Sequence, residues 1–131
     1  MPKPRSKNGK TRKKIFTMTY KSGDIILVNF PFTDLVSSKV RPAVVITIKG
    51  EDAIILGIFS KIPEKIMDSW FVIDEGAEYF TKTGLKKRSV IKTEKIAVIH
   101  SSIIRKPLGS LPENIFNIVK AKLKKTLELE G

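Results

Sequence analysis

A chain of 131 residues with 41% hydrophobic side chains has room for one domain with a real core, and is too apolar to be disordered throughout. Zero cysteines and a single histidine, His100, exclude disulfides, thiolate nucleophiles, Cys-type zinc sites, His-based metal sites and two-histidine acid–base catalysis. A formal net charge of +12 favours a polyanionic partner, nucleic acid first, with an acidic protein or an anionic membrane surface as the alternatives.

The charge is concentrated at the start. Residues 1–14 carry seven cations and no acid, so the rest of the chain is only modestly basic. Met1 to Tyr20, polar and basic with Pro2, Pro4 and Gly9, reads as a disordered N-terminal tail. Met18 stands just before Gly23, so residues 1–17 read either as an arm that scans polyanions or as an extension from an upstream start codon. Residues 21–131 are the expected domain. Asp24–Phe30 is rich in β-branched and aromatic residues and predicts a strand. Pro31 and the polar run Thr33 to Ser38 open a loop. Pro42–Ile48 predicts a second strand, and Lys49-Gly50-Glu51-Asp52 the turn of a hairpin. Ala53–Ser60 predicts a third strand, with Gly57 marking a bulge or a close backbone approach, and Pro63 ends it. Trp70–Ile73 reads as a short fourth strand. Asp74–Arg88 is polar and holds one helical turn at most. Ser89–Ile99 is the longest strand candidate, with one face wetted by Lys92 and Glu94.

The period then changes. Pro112 suits the first helical position, with Glu113 in the first turn. Ile115, Ile118, Val119, Leu123 and Leu127 recur at helical spacing, with lysines between them, and predict an amphipathic C-terminal helix. Five short strands and one terminal helix imply a mainly β fold: a small, partly open barrel of the SH3-like kind. No run approaches the roughly 20 apolar residues of a membrane span; the absence of cysteine fits a cytoplasmic protein, and the expectation is of no membrane partner.

Chemistry-bearing motifs are few. The sequence has no Gly-rich phosphate loop and no Asp pair at a spacing that suggests two metals. Any catalysis would fall to Arg, Lys, Ser, Thr, Glu and backbone groups. Phe30, Phe59 and Phe71 read as core.

One set of blocks is specific. Gly23-Asp24-Ile25-Ile26-Leu27-Val28-Asn29-Phe30-Pro31-Phe32-Thr33-Asp34, followed by Ser38-Lys39-Val40-Arg41-Pro42-Ala43-Val44-Val45-Ile46, closely resembles the opening hairpin of the PemK/MazF family of toxin ribonucleases. Ile58-Phe59-Ser60-Lys61 resembles its third-strand site. Gly84-Leu85, Ser89 to Ile96 and Leu108-Gly109-Ser110-Leu111 follow in the family's order. Together these span about residues 22–128. The basic tail is a departure from the family pattern.

The resemblance implies the barrel shared by PemK, MazF and CcdB-like toxins. It implies a sequence-specific endoribonuclease of a type II toxin–antitoxin system, which cuts single-stranded RNA with no metal or other cofactor. The 2′-OH would attack the adjacent phosphate, giving a 2′,3′-cyclic phosphate and a 5′-hydroxyl. Arg41 matches the catalytic arginine and Ser60 the partner hydroxyl. Lys92 and Glu94 match positions where some members place a basic and an acidic residue, and Glu94 is the candidate base. The RNA-binding residues implied are Phe32, Thr33, Lys39, Lys61 and Lys92. The partners implied are a second copy in a homodimer and a cognate acidic antitoxin. Two other readings share the fold. One is a gyrase poison, disfavoured because its terminal-helix Trp has no counterpart in a chain whose one tryptophan is Trp70. The other is a non-catalytic RNA-binding barrel, which aromatic stacking platforms would favour.

Overall fold

The computed structural model describes residues 20–30 and 39–129. The tail, the loop between the first two strands and its residues Phe32 and Thr33 lie outside the described residues. No helix among the described residues is long and apolar enough to cross a membrane.

Alternation along β1 (Asp24–Phe30) splits its apolar side chains between the two faces of a sheet: Ile25 joins one core cluster, Ile26 and Val28 the other. The same division continues in β2 (Lys39–Lys49), where Val44 faces the first cluster and Ala43 and Val45 the second. A bulge between Val45 and Thr47 resets the alternation, which lets Ile48 return to the second cluster. In β3 (Asp52–Phe59), Leu56 and Ile58 face the first cluster and Ala53 and Ile55 the second. Each fully buried Ile, Leu or Val side chain stabilises the fold by about 1.5–3 kcal/mol, so the double-sided burial of these three strands makes them its spine.

β4 (Trp70–Ile73), β5 (Ser89–His100) and β6 (Ile104–Ser110) complete an antiparallel sheet in the order β4-β5-β3-β2-β1-β6. The mainly β expectation holds, with one strand more than the sequence reading gives. β6 is the addition. The sequence reading assigns no element to Arg105, Lys106 and Pro107; Pro107 pairs opposite Ile26 because an edge strand tolerates a residue with no N–H. β2 starts three residues earlier than the Pro42 boundary, so Arg41 lies inside the strand, opposite Val28. Pro42 is accommodated because the β3 ladder begins only at Ala43.

The sheet is open, but it curls. α1 (Phe80–Thr83), which follows edge strand β4, packs on the opposite edge strand β6. Two glycines permit this approach. A Cβ at Gly84 would collide with the Leu108 carbonyl, and one at Gly109 with the Lys82 carbonyl. In β5 the register shifts from Leu56↔Ile96 to Gly57↔Lys92, so Thr93, Glu94 and Lys95 loop out of the β3 ladder. Gly57 thus marks a bulge as its position suggests, but the extra residues belong to the facing strand.

α2 (Glu113–Thr126) lies on the first cluster through Phe116, Val119 and Leu123, with Pro112 one place earlier than expected, at the N-cap. The periodic reading misassigned two positions. Ile118 is 43% and Leu127 44% exposed. Ile118 is about 200° around the helix from Phe116, and Leu127 falls after the last helical residue. The helix's C-terminal half is tied to the sheet by polar contacts. Lys122 Nζ donates to the Asp68 carbonyl at 2.7 Å. The buried Thr93 hydroxyl donates to the Ser69 carbonyl at 2.8 Å and meets the Thr126 hydroxyl.

Candidate functional site

Carrying the Ala43↔Gly57 register two residues on brings Arg41 across from Phe59, and the guanidinium lies 5.2 Å from the ring centroid. On the next strand Lys92 stands opposite Gly57. Lys92 Nζ lies 5.0 Å from the Phe59 centroid and 4.6 Å from that of Trp70, its partner on β4. The Trp70 indole N–H donates to Glu94, at 2.9 Å from Oε1 and 3.1 Å from Oε2. The result is a continuous row across four strands: Arg41, Phe59, Lys92, Trp70 and Glu94.

Neither Phe59 nor Trp70 belongs to a core cluster, which corrects the reading of Phe59 as core. Alternation explains it. Ile58 and Phe71 point into the first cluster, so their neighbours Phe59 and Trp70 point to the other face. Phe71 does pack on the core as expected, and the side chain of Phe30 lies outside the described residues.

Arg41 and Ser60 also share a pocket of about 340 Å³. Its floor is apolar, built from Leu27, Val40, Pro42, Ile58, Leu85 and Leu108, and its cationic groups are Arg41, Lys86, Lys87 and Lys106. Ser60, exposed, stands one residue past the end of β3 rather than within it. Arg41 Nε is buried, and among the described residues no acceptor reaches it. A buried donor that no acceptor meets costs about 1–3 kcal/mol. The pocket therefore combines a bidentate cation with an unmet donor, a hydroxyl and three ammonium groups around an apolar floor, which suits a phosphate joined to a flat organic group.

Lys61 is exposed and does not line the pocket, and neither do Lys92 or Glu94, which belong to the aromatic row beside it. The backbone of Lys39 pairs with Phe30, while its side chain lies outside the described residues. Sequence reasoning missed Lys86, Lys87 and Lys106. The signal available was the run Lys86-Lys87-Arg88 after the Gly84 turn, but the cleft it serves depends on α1 docking against β6. Arg88 leaves the group, held by Asp74 at 2.7 Å.

His100 sits at the other end of the sheet, opposite Asp52. Its Nδ1 accepts the Ser102 backbone N–H at 3.0 Å, which leaves the proton on Nε2 to bond Glu51 at 2.8 Å. It clips the β2–β3 turn to the end of β5 and takes no part in the pocket. Among the described residues no cluster of three or more His, Asp or Glu stands together. A second groove of about 530 Å³, between α2 and the Asp68–Ser69 segment, is lined by Ile118, Ala121, Lys122, Lys125 and Thr126.

The family model for PemK-like, MazF-like toxins of type II toxin–antitoxin systems matches residues 21–127. Among solved structures, the chain is similar to an endoribonuclease from a mycobacterial species in complex with its cognate antitoxin. That likeness has a TM-score of 0.64 at 10% identity over 86% of this chain and 99% of that one. The Mycobacterium tuberculosis toxin MazF-mt6 gives 0.64 at 13% identity over 82% and 99% of the two chains. A MazE–MazF structure from Deinococcus radiodurans gives 0.63 at 15% identity over 85% and 97%. At such identities the likeness shows the fold. No curated protein matches the chain.

Proposed function

The chain belongs to the family of PemK-like, MazF-like toxins of type II toxin–antitoxin systems, and from that premise we propose that it is a metal-independent, sequence-specific endoribonuclease acting on single-stranded RNA. The observation that carries the reading is the pocket shared by Arg41 and Ser60, in which a buried arginine nitrogen has no partner among the described residues. A phosphodiester oxygen is the group that such a donor lacks.

In the reaction proposed, the RNA 2′-oxygen attacks the adjacent phosphorus and the bond from phosphorus to O5′ breaks. The electron pair leaves with O5′, which takes up a proton to give a 5′-hydroxyl and a 2′,3′-cyclic phosphate. Arg41 stabilises the charge that grows on the non-bridging oxygens, and Ser60 donates a further hydrogen bond. A guanidinium holds its proton too firmly to be a good acid, so an ammonium among Lys86, Lys87 and Lys106 is the better proton source for O5′. Glu94, the candidate base of the sequence reading, is directed at the Trp70 indole and does not line the pocket. The 2′-OH proton is therefore assigned to solvent at the pocket mouth.

The partners proposed are a second copy of the chain and an acidic antitoxin. The mycobacterial and Deinococcus relatives, whose structures include an antitoxin, support the second, as does the charge of +12. One observation favours a second reading: the aromatic row outside the core would also serve a barrel that binds RNA without cutting it. Incubation with a long single-stranded RNA in EDTA separates the two. New ends bearing 2′,3′-cyclic phosphate and 5′-hydroxyl are expected. Binding without new ends supports the non-catalytic barrel, and cutting abolished by EDTA rules out metal independence. A 2′-deoxy nucleotide at the cut site should leave binding intact and stop cleavage.

A further inference from the structure

Trp70 is the one tryptophan of the chain, it belongs to neither core cluster, and its ring is held from two sides. Glu94 takes the indole N–H with both carboxylate oxygens, and Lys92 lies over the ring at 4.6 Å. The three-residue loop-out in β5 makes this arrangement possible. It lets Thr93 face α2 while the next residue, Glu94, reaches back to Trp70. A tryptophan kept out of the core and fixed in orientation is a rigid aromatic platform.

Resting on the ribonuclease reading, we infer that Trp70 and Lys92 form a nucleotide subsite beside the Arg41 pocket, in which a base of the RNA stacks on the indole and its phosphate meets the ammonium. Glu94 is then a positioning residue that fixes the ring, and not the general base. The spacing fits. Arg41 on β2 and Trp70 on β4 are three strand gaps apart, roughly 14 Å, which accommodates more than one nucleotide of an extended strand. Phe59 lies between the two cations, so cationic and aromatic groups alternate along the row as in surfaces that bind single strands. A phosphate is a stronger partner for an ammonium than a ring face is. An arriving nucleotide therefore draws Lys92 off the indole and opens that face to the base.

The single tryptophan gives a direct readout. An RNA with a 2′-deoxy nucleotide at the cut site, titrated into the full chain, should quench the intrinsic fluorescence saturably. Trp70→Ala should raise KM for the cleavable RNA about tenfold, the scale of one lost stack, with kcat within about twofold of wild type. Trp70→Phe should restore much of the loss, because it keeps a stacking face. Glu94→Ala should raise KM as Trp70→Ala does. Glu94→Gln should rescue it, because its amide oxygen still accepts the indole N–H. If Trp70→Ala fails to fold, the wild-type titration and the Glu94 pair decide the matter. A collapse of kcat and loss of the acid limb of the pH profile in both Glu94 variants would make Glu94 the base and overturn the inference. So would RNA that is cut with no change in Trp70 fluorescence, or quenching by a polyglutamate peptide but not by RNA. If RNA quenches the wild type yet is never cut, the platform stands and the nuclease reading fails.

Discussion

Replacing Arg41 by alanine should separate activity from stability in a way that few substitutions would. In the reaction proposed, the variant loses a forked, charged donor where the pentacovalent phosphate would gather charge, and one such donor is worth about 100–1000-fold in rate. Stability should move the other way or not at all. The contact with the Phe59 ring is worth roughly 0.5–1 kcal/mol and is lost. If the buried Nε, which has no acceptor among the described residues, is unpaired in the whole chain, it costs the folded state about 1–3 kcal/mol, and that cost is also removed. The balance lies between zero and about 2.5 kcal/mol of stabilisation, so thermal unfolding should occur at the wild-type temperature or up to about 10 °C above it. The assays are single-turnover cleavage of a fluorogenic RNA and a melt followed by circular dichroism. Arg41→Lys should recover little activity, since it offers a point charge in place of a fork. Cutting at near the wild-type rate would refute the catalytic assignment. A melting temperature lowered by more than about 5 °C would refute the stability argument and make Arg41 a structural residue.

Other expectations follow from the same geometry. Ser60→Ala should slow cleavage less than Arg41→Ala in that assay, because a neutral hydroxyl is a weaker donor than a charged fork. Gly109→Ala should destabilise the fold by about 2–4 kcal/mol in a denaturant melt, because its methyl group would force α1 off β6; a loss under about 1 kcal/mol would mean that the contact yields easily. Deletion of residues 1–17 should weaken RNA binding at low salt and flatten its salt dependence while leaving the cut sequence unchanged, and an unaltered salt slope would mean that the arm does not bind RNA. Light scattering at micromolar concentration should report a dimer, and a monomer would remove the second copy from the proposal.

How much of this was legible in the sequence depended on how local the cause was. The strands from Asp24 to Phe59 announce themselves because each buries both faces and so carries dense β-branched residues. The helix was visible from its period, but its buried line was not. Phe116, not Ile118, faces the core, and one residue of phase decides it. β6 was hidden because an edge strand with one covered side needs few apolar residues and tolerates Pro107. Arg41 and Ser60 could be named from the resemblance, and the structure brings them into one pocket. The lysines opposite them could not, because Lys86, Lys87 and Lys106 meet there only after the chain has curled from one edge of the sheet to the other. Trp70 reads in the sequence only as the start of a short strand, since its tie to Glu94 spans 24 positions and depends on a loop-out with no sequence signature.

The two margins of the sheet bear on how this molecule meets other proteins. One margin, β4, offers only four residues, and the other, β6, presents Arg105, Lys106 and Pro107. Both are poor templates for a further strand, which protects a basic, β-rich chain from polymerising edge to edge. The same bluntness would limit an extended segment of the proposed antitoxin. Such a segment would find few backbone hydrogen bonds along either border, so its hold would come from side chains laid against the cationic pocket. A complex held in that way should loosen steeply as salt rises, whereas one built by strand addition would be nearly indifferent to it.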